Sequence, residues 1–312
     1  MPSFLDAQFG CAAESTYGTR VTPTLFLPFL SEGVKFVQDY LQSKSYRTGR
    51  QFPQLQRPGL KRAQGPIKFE FAPQGLQLLT KHMLGSLNTT GAGPYVHTAT
   101  PGALNGLSLT VQIVKTDRGG TSRPFDYKGV KITDWTIDAK VGEIATLELG
   151  TYGQAEDTSQ TVATATYPSN WLPFTFVEGS LTLGAVSTPV AELSIKGDNG
   201  LGLDVGQLGS GLVREPVTQQ IRQITGTIDA DFSDLVAYAR YTGQTQVTLV
   251  ATFAQASGHQ CVITGTVEFL GDTPNAGGSG QEIRQPLNFT GINATSDANV
   301  ITIATTNADA TP

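Results

Sequence analysis

Residues 65–85 (GPIKFEFAPQGLQLLTKHMLG) constrain the fold of this chain more than any other segment. Apolar and polar side chains alternate from Ile67 to Phe71, which is the period of a strand with one buried face. Pro73 favours the first turn of a helix, and the apolar residues after it have helical spacing up to Gly85, which suits a helix end. The segment therefore predicts a strand, a short helix and a stop.

The same local pattern recurs in the second half of the chain, from Gly226 through a predicted helix to Gly243. The matched positions are Gly65 and Gly226, Ile67 and Ile228, Glu70 and Asp231, and Phe71 and Phe232. A pattern that recurs at such a distance is typical of an internal duplication. We therefore expect two copies of one fold.

Composition restricts the class of protein. Charged residues make up only 15% of the 312 residues, whereas glycine (35) and proline (17) are plentiful. This is typical of many short strands joined by turns, and the length suffices for two domains. The net charge of −5 argues against a protein that grips nucleic acid but allows one that lets nucleic acid pass. With no long apolar run and no secretory signal pattern, we expect no membrane insertion.

Changes in composition divide the chain into four predicted parts. Residues 1–64 form an arm with little periodicity, residues 65–155 a first repeat, residues 156–172 a connector, and residues 173–312 a second repeat with a C-terminal strand. The connector is rich in threonine and alanine and has few charges. Within the arm, residues 31–41 fit a helix or a strand equally well, because a glycine interrupts the apolar spacing.

Strand patterns fill both predicted repeats. We expect strands at residues 107–113, 130–139 and 144–152, within 174–195, and at 247–253, 261–269, 283–289 and 300–305. In the strand at 130–139, Ile132, Asp134 and Thr136 are expected on one face. Loops rich in turn-forming residues are predicted at 88–105, 117–126, 197–211 and 271–280.

No set of residues predicts catalysis, a metal site or a cofactor. His82, His97 and His259 have no partner at ligand spacing, so we interpret each as a surface or packed histidine. Cys11 and Cys261 fit neither a metal site nor a disulfide framework and are interpreted as buried thiols. The sequence also lacks the phosphate-binding-loop and nucleophile-elbow motifs.

A basic stretch spans residues 45–62 and contains no acidic residue. Its cations are Arg47, Arg50, Arg57, Lys61 and Arg62. The stretch is either a solvated loop or a segment that docks on an acidic neighbour.

Several segments together resemble the long, two-repeat form of the tail tube (major tail) proteins of siphophages. These segments are residues 14–19 (ESTYGT) with 29–32 (FLSE), the basic stretch around Arg57, residues 65–85 with His97, the strand at Leu107 followed by residues 127–132 (YKGVKI), residues 222–228 (RQITGTI) and residues 283–289 (IRQPLNF). The resemblance covers nearly the whole chain.

This resemblance implies a mainly β fold of two β-sandwich or half-barrel repeats, each with a short flanking α-helix. Subunits of this family assemble into a ring with an inner β-barrel, and rings stack into a non-contractile tube through which double-stranded DNA passes during ejection. A two-repeat chain is then expected in rings of three copies with pseudo-six-fold symmetry. If the second half is instead a decoration, six copies are expected.

The implied role is structural, without catalysis and without a cofactor. The implied location is the virion tail, after synthesis in the cytoplasm of the host bacterium. The implied partners are further copies of the chain and the tail terminator, tape measure and distal tail proteins, with non-specific passage of double-stranded DNA.

The resemblance also suggests roles for charged residues. Glu70, Asp229 and Asp231 lie on predicted polar strand faces and are expected to line the channel, where weakly acidic groups repel DNA phosphates. The cations of residues 45–62 are expected to meet an acidic rim of the next ring.

Two other classes remain open at the level of sequence. A capsid- or tail-decorating β-sandwich that acts as a binding module fits the composition but not the repeated strand–helix pattern. A glycan hydrolase needs a carboxylate pair in a cleft with aromatic platforms. Asp229 and Asp231 are a candidate pair, but Trp135 and Trp171 fit core or interface positions as readily as platforms.

Overall fold

The computed structural model describes residues 6–53, 55–232, 235–271, 283–292 and 295–310. Within these ranges the chain is mainly β, with antiparallel strands and few helices, as predicted. The strands are β1 (Gln8–Glu14), β2 (Leu25–Phe26), β3 (Ser31–Glu32), β4 (Lys35–Gln42), β5 (Gln56–Glu70), β6 (Gly85–Thr90), β7 (Tyr95–Pro101), β8 (Ser108–Thr116), β9 (Ser122–Lys140), β10 (Thr146–Gly153), β11 (Ala155–Asp157), β12 (Gly179–Leu183), β13 (Val186–Ser187), β14 (Val190–Asp198), β15 (Gln223–Asp231), β16 (Val247–Ala254), β17 (Gln260–Gly271), β18 (Arg284–Gly291) and β19 (Ile301–Asn307). The α-helices are α1 (Gln77–Leu84) and α2 (Val236–Thr242).

Eight antiparallel strands form one continuous main sheet. Their order is β4, β5, β10, β9, β14, β15, β18 and β17. The first four strands come from the first half of the chain and the last four from the second half. The two halves join where β9 pairs with β14.

Shorter strands cover the apolar face of the main sheet. Strands β8, β1 and β2 continue from the first part of β9, and strands β16, β12 and β13 continue from β17. The Phe9 ring on β1 lies 5.0 Å from the Phe69 ring on β5, and the Phe253 ring on β16 lies 5.9 Å from the Phe71 ring. Most buried apolar side chains of both halves belong to one hydrophobic core, and Tyr152, Val205 and Val213 form a small separate cluster.

The segment at 65–85 folds as a strand, a helix and a stop, as predicted. Ile67, Phe69 and Phe71 are buried, which confirms the alternation along β5. The apolar residues of α1 are buried as well. Gly85 follows α1 with a φ of 109°, a left-handed conformation that favours glycine and ends the helix.

The predicted start of this helix is wrong. Helix α1 begins at Gln77, so Pro73 lies before its first turn. The Pro73 carbonyl oxygen instead accepts a 2.6 Å hydrogen bond from the Asn307 side chain on β19. This contact depends on a strand at the far end of the chain, which local spacing cannot reveal.

The second strand–helix pattern also forms, as β15 and α2, although residues 233 and 234 lie outside the described ranges. Ile228 on β15 is buried like Ile67 on β5. Helix α2 differs from α1, because Leu235 and Val236 at its start are exposed. The second helix therefore buries less apolar surface than the first.

The predicted loop at 88–105 is wrong. Strands β6 and β7 occupy most of it and pair with each other. Strand β7 also pairs with β19, with His97 opposite Thr305. Threonine favours strands, but the partner that stabilises this hairpin comes from the end of the chain and leaves no local signal.

The predicted common face of Ile132, Asp134 and Thr136 is wrong for Ile132. An irregularity in the pairing of β9 with β10 shifts the register by one residue before Asp134. Ile132 is consequently buried in the core, whereas Asp134 and Thr136 lie on the opposite, polar face.

Several other boundaries differ from the predicted ones. Residues 31–41 form strands β3 and β4, so the strand alternative is the correct one. The loop at 117–126 ends early because β9 begins at Ser122, and the loop at 197–211 begins after the end of β14. The loop at 271–280 lies outside the described residues from position 272 onward.

Seven strand pairings of the first half have counterparts in the second half, in the same chain order. In the first half they are β1–β2, β1–β8, β4–β5, β5–β10, β10–β9, β9–β8 and β9–β11. In the second half they are β12–β13, β12–β16, β14–β15, β15–β18, β18–β17, β17–β16 and β17–β19.

Candidate functional site

The polar face of the main sheet is an extensive polar surface built from regular structure. Strand alternation directs every second side chain of β5, β10, β9, β14, β15 and β18 away from the core. The registers align these side chains into rows across the sheet. One row contains Lys68, Glu148, Thr136, Lys196 and Thr225, and the next contains Glu70, Thr146, Asp138, Ser194, Thr227 and Asn288.

This face is acidic on balance. Where these six strands pair, its carboxylates are Glu70, Asp134, Asp138, Glu148, Glu192, Asp198, Asp229 and Asp231, and its cations are Lys68, Lys140, Lys196 and Arg284. The carboxylates therefore outnumber the cations two to one. None of these groups is fully buried, so the face presents a negative potential to solvent.

The three predicted acidic residues all lie on this face, but only two of them are close together. Arg284 on β18 lies between the two aspartates of β15, with its Nη1 atom 3.2 Å from Asp229 Oδ2 and 3.7 Å from Asp231 Oδ1. Glu70 is four strands away from β15, about 19 Å at the usual strand spacing. The residues thus form a distributed surface and not a convergent pair.

Sequence reasoning missed most of the acidic face. Ser194 Oγ donates a 2.6 Å hydrogen bond to Asp138 Oδ1, and Lys140 Nζ lies 3.6 Å from Glu192 Oε2, so β9 and β14 are linked on this side. Alternation within each strand could have assigned these residues to a polar face. It could not have revealed that six strands present their polar faces side by side, because the pairing order is set by tertiary structure.

The join between the halves depends on a close fit of Trp135 against a glycine. Trp135 is buried on β9, directly opposite Gly197 on β14. A Cβ atom at position 197 would come 2.2 Å from the Trp135 ring. Any larger residue at this position would therefore force the Trp135 ring or the two strands to shift.

A second link between the halves is the Arg222 guanidinium group. It donates to the carbonyl oxygens of Met83 (3.2 Å) and Leu84 (3.0 Å) at the end of α1, and to that of Gly102 (3.0 Å). It also donates to Asn199 Oδ1 at 2.8 Å. One side chain from the second half thus satisfies carbonyl groups that a helix end leaves without partners.

The basic stretch lies on a hairpin that β4 and β5 form. Arg57, Lys61 and Arg62 are on β5, and Arg47 and Arg50 lie in the segment between the two strands. Arg62 Nη1 donates a 2.8 Å hydrogen bond to Asp39 Oδ2 on β4. The prediction of a loop is therefore correct only for the first part of the stretch.

The same hairpin exposes large apolar side chains. Tyr46 is fully exposed and Phe52 is 84% exposed, and Tyr40, Leu41 and Leu55 are also largely accessible. Solvent-exposed aromatic residues beside several cations are typical of a surface that another protein covers.

The two cysteines are buried, and the three histidines contact other parts of the chain, as interpreted. His97 is buried, with Nδ1 2.9 Å from Thr89 Oγ1 and Nε2 2.9 Å from the Asp309 carbonyl oxygen, and His82 is buried on α1. Burial raises the pKa of the Cys11 and Cys261 thiols to about 12, so both are unreactive at neutral pH.

The part of the chain that the structure describes contains no group of three or more histidine, cysteine or acidic side chains arranged to hold a metal ion. Within the same ranges, no helix is both long and apolar enough to cross a membrane.

Comparison with known families gives one finding. Residues 5–291 match the family model described as phage tail tube protein. No curated protein matches the chain.

Proposed function

Since the chain belongs to the phage tail tube protein family, a structural family of the virion tail, we propose that it forms stacked rings of a long non-contractile tube through which DNA passes during ejection. The observation that carries this proposal is the eight-stranded sheet whose polar face is acidic. In the proposed ring this face lines the channel.

An acidic lining suits the passage of DNA. A duplex binds a protein by exchanging its condensed counterions for lysine and arginine side chains. A face with twice as many carboxylates as cations has few cations that could replace these counterions, and its carboxylates repel the phosphates. Glu70, Asp229 and Asp231 are proposed as part of this lining, with the other carboxylates of the face. DNA would then slide through without being held.

The repeated strand pairings support two copies of one unit in the chain, each supplying four strands to the ring. On this proposal the first unit begins with β1, whereas the local sequence pattern predicted a start at Gly65. Three chains then build a ring of pseudo-six-fold symmetry.

Barrel geometry favours three chains. Twenty-four strands spaced about 4.8 Å apart and tilted about 40° close into a barrel about 48 Å across its backbone, whereas six chains would double this diameter. The smaller barrel admits a hydrated duplex and remains narrow enough to guide it. A closed barrel also removes the free strand edges that favour aggregation.

The β4–β5 hairpin is proposed as the contact between successive rings. Its cations, Arg47, Arg50, Arg57, Lys61 and Arg62, would face an acidic rim, and its exposed aromatic residues would supply the apolar area of the contact. Arg62 is already paired with Asp39, so the other four cations are more available to a neighbour.

We also propose that the tube ends on tail terminator and distal tail proteins and encloses a tape measure protein. Synthesis would take place in the cytoplasm of the host bacterium. These partners follow from the family alone.

Electron microscopy of the purified protein at rising concentration, with mass measurement in parallel, tests the proposed function. Rings or hollow tubes are expected, and the symmetry of averaged end-on views gives the number of chains per ring. A monomer that never assembles would overturn the proposal and favour a decorating β-sandwich.

A further inference from the structure

We propose that β4 of one copy pairs antiparallel with the free edge at the end of β17 in the next copy. This inference rests on the proposed ring and adds the strands and the register of the seam between subunits.

Both ends of the main sheet are open within the described residues. Strand β4 pairs with β5 on one side and with no strand on the other. Residues 268–271 of β17 pair with β18 on one side only, because β16 reaches no further than Val267. Apolar side chains accompany both edges, since Phe36 on β4 is 39% exposed and Leu270 on β17 is 58% exposed. Open edges with exposed apolar side chains are sites for strand addition.

The two edges lie too far apart to meet within one chain. They are the first and the last strand of the eight-stranded sheet, seven strand spacings or about 34 Å apart. They are also different surfaces, so each copy can use one edge toward each neighbour. Such head-to-tail contacts close into rings when the rotation between copies permits.

The pairing of β9 with β14 provides the template. Two strand pairs of the first half correspond to two of the second half. The pair β4–β5 corresponds to β14–β15, and the pair β9–β10 corresponds to β17–β18. Inside the chain, β14 covers the edge of β9. The corresponding edge of β17 has no described partner, and β4 of another copy is the strand that corresponds to β14.

The observed registers determine the positions of β4 that correspond to β14. Lys196 lies opposite Thr225, and Lys35 lies opposite Gln64. Thr225 and Gln64 each precede one of the matched glycines. Phe36 therefore corresponds to Gly197, and Val37 corresponds to Asp198.

The same reasoning aligns β17 with β9. Trp135 lies opposite Leu149, which lies opposite Ile67. Gly271 lies opposite Leu287, which lies opposite Ile228, the match of Ile67. Gly271 therefore corresponds to Trp135, and Leu270 corresponds to Asp134.

These correspondences assign the contacts at the seam. Trp135 lies opposite Gly197 inside the chain, so Gly271 faces Phe36 of the next copy. An aromatic residue lies opposite a glycine in both cases. Inside the chain the aromatic residue is on β9 and the glycine on β14, whereas at the seam the glycine is on β17 and the aromatic residue on β4. The next pair along the strands is Leu270 with Val37, and each covers the other's apolar surface.

Disulfide trapping tests this register. The double variant Val37→Cys, Leu270→Cys places two thiols directly opposite across the seam, at the Cα separation of about 5 Å that suits a disulfide. The native thiols are buried and add little background. After assembly and mild oxidation, we expect covalent dimers and trimers on a non-reducing gel, which a reductant returns to monomers.

The matched control is the double variant Gln38→Cys, Leu270→Cys. A shift of one residue turns the side chain to the other face of the strand, so this pair is expected to remain uncrosslinked. Rings that form without crosslinks in the first variant, or with equal crosslinks in both, would overturn the seam and leave the proposed function standing. Wild-type protein that forms no rings would overturn the proposed function itself, and the seam with it.

Discussion

At the scale of single residues, a few side chains hold the two halves of the main sheet together. Gly197 leaves room for Trp135, and Arg222 reaches from the second half to the end of α1. Both residues make close contacts, so adding or removing a few atoms there is expected to lower the free energy of unfolding measurably.

The variant Gly197→Ala is expected to lower the free energy of unfolding by about 1–3 kcal/mol, because its Cβ would overlap the Trp135 ring. Urea unfolding measures this loss. Gly211→Ala is the control, since a Cβ there meets nothing within 4 Å. Equal stability of the two variants would contradict the packing argument.

The variant Arg222→Ala is expected to cost about 2–3 kcal/mol, because it leaves carbonyl groups at the end of α1 without charged donors. The midpoint of urea unfolding reports the change. Arg214→Ala, at an exposed position, is expected to stay within about 0.5 kcal/mol of the parent. A loss of similar size in both variants would argue against a role specific to Arg222.

At the scale of elements, α1 and the β4–β5 hairpin differ in what surrounds them. Helix α1 is buried on β6, β7 and β9, so its properties are those of the core. The hairpin is exposed along most of its length, so its properties concern partners. A change in α1 is therefore expected to alter stability, and a change in the hairpin is expected to alter assembly.

Burial on α1 lowers the pKa of His82, against the opposing effect of a hydrogen bond to the Leu78 carbonyl oxygen. The unfolded state, with a histidine pKa of about 6.5, therefore takes up the proton first as the pH falls. Stability is expected to fall between pH 7.5 and 5.5, by at most about 1.4 kcal/mol from this group. Urea unfolding of His82→Gln should show a shallower pH dependence than the parent, and an equal slope would count against this effect.

Reversal of two cations on the hairpin, Arg57→Glu with Lys61→Glu, is expected to leave the fold intact and stop tube growth at single rings. Circular dichroism checks the fold, and electron microscopy checks the tubes. The control carries the same charge change at two exposed sites elsewhere, Arg118→Glu with Arg214→Glu, and should still form tubes. Normal tubes from the hairpin variant would remove this hairpin from the contact between rings.

At the scale of the whole molecule, the main sheet gives the chain two unlike faces. One face packs into the core shared by both halves, and the other collects acidic side chains from five strands, β5, β10, β9, β14 and β15. Neither half forms this surface alone.

Neutralising the proposed lining with Glu70→Gln, Asp229→Asn and Asp231→Asn is expected to leave tubes intact but increase their binding of duplex DNA several-fold at low salt. The reason is weaker repulsion of the phosphates, so the gain should disappear as salt rises. Fluorescence anisotropy of a labelled duplex measures the binding. Asp6→Asn, Asp204→Asn and Asp297→Asn form the control, and a gain of the same size there would indicate net charge as the cause.

The sequence by itself determined the mainly β class, the strand–helix–stop at 65–85 and the acidic character of β15. Each of these three features depends on residues close together in the sequence, because it follows from side-chain alternation, helical spacing or the conformational freedom of glycine. The family resemblance could also be read at this level, because the motifs that carry it are local segments.

Only the tertiary structure decided how these segments combine. Strands β6 and β7 depend on β19, the register change before Asp134 depends on β10, and the acidic face depends on the join of β9 with β14. Pairing between distant strands is chosen by the total fit of two edges, such as Trp135 against Gly197, and no local window contains both partners. For that reason the candidate residues could be assigned to polar faces from sequence, but their common surface could not.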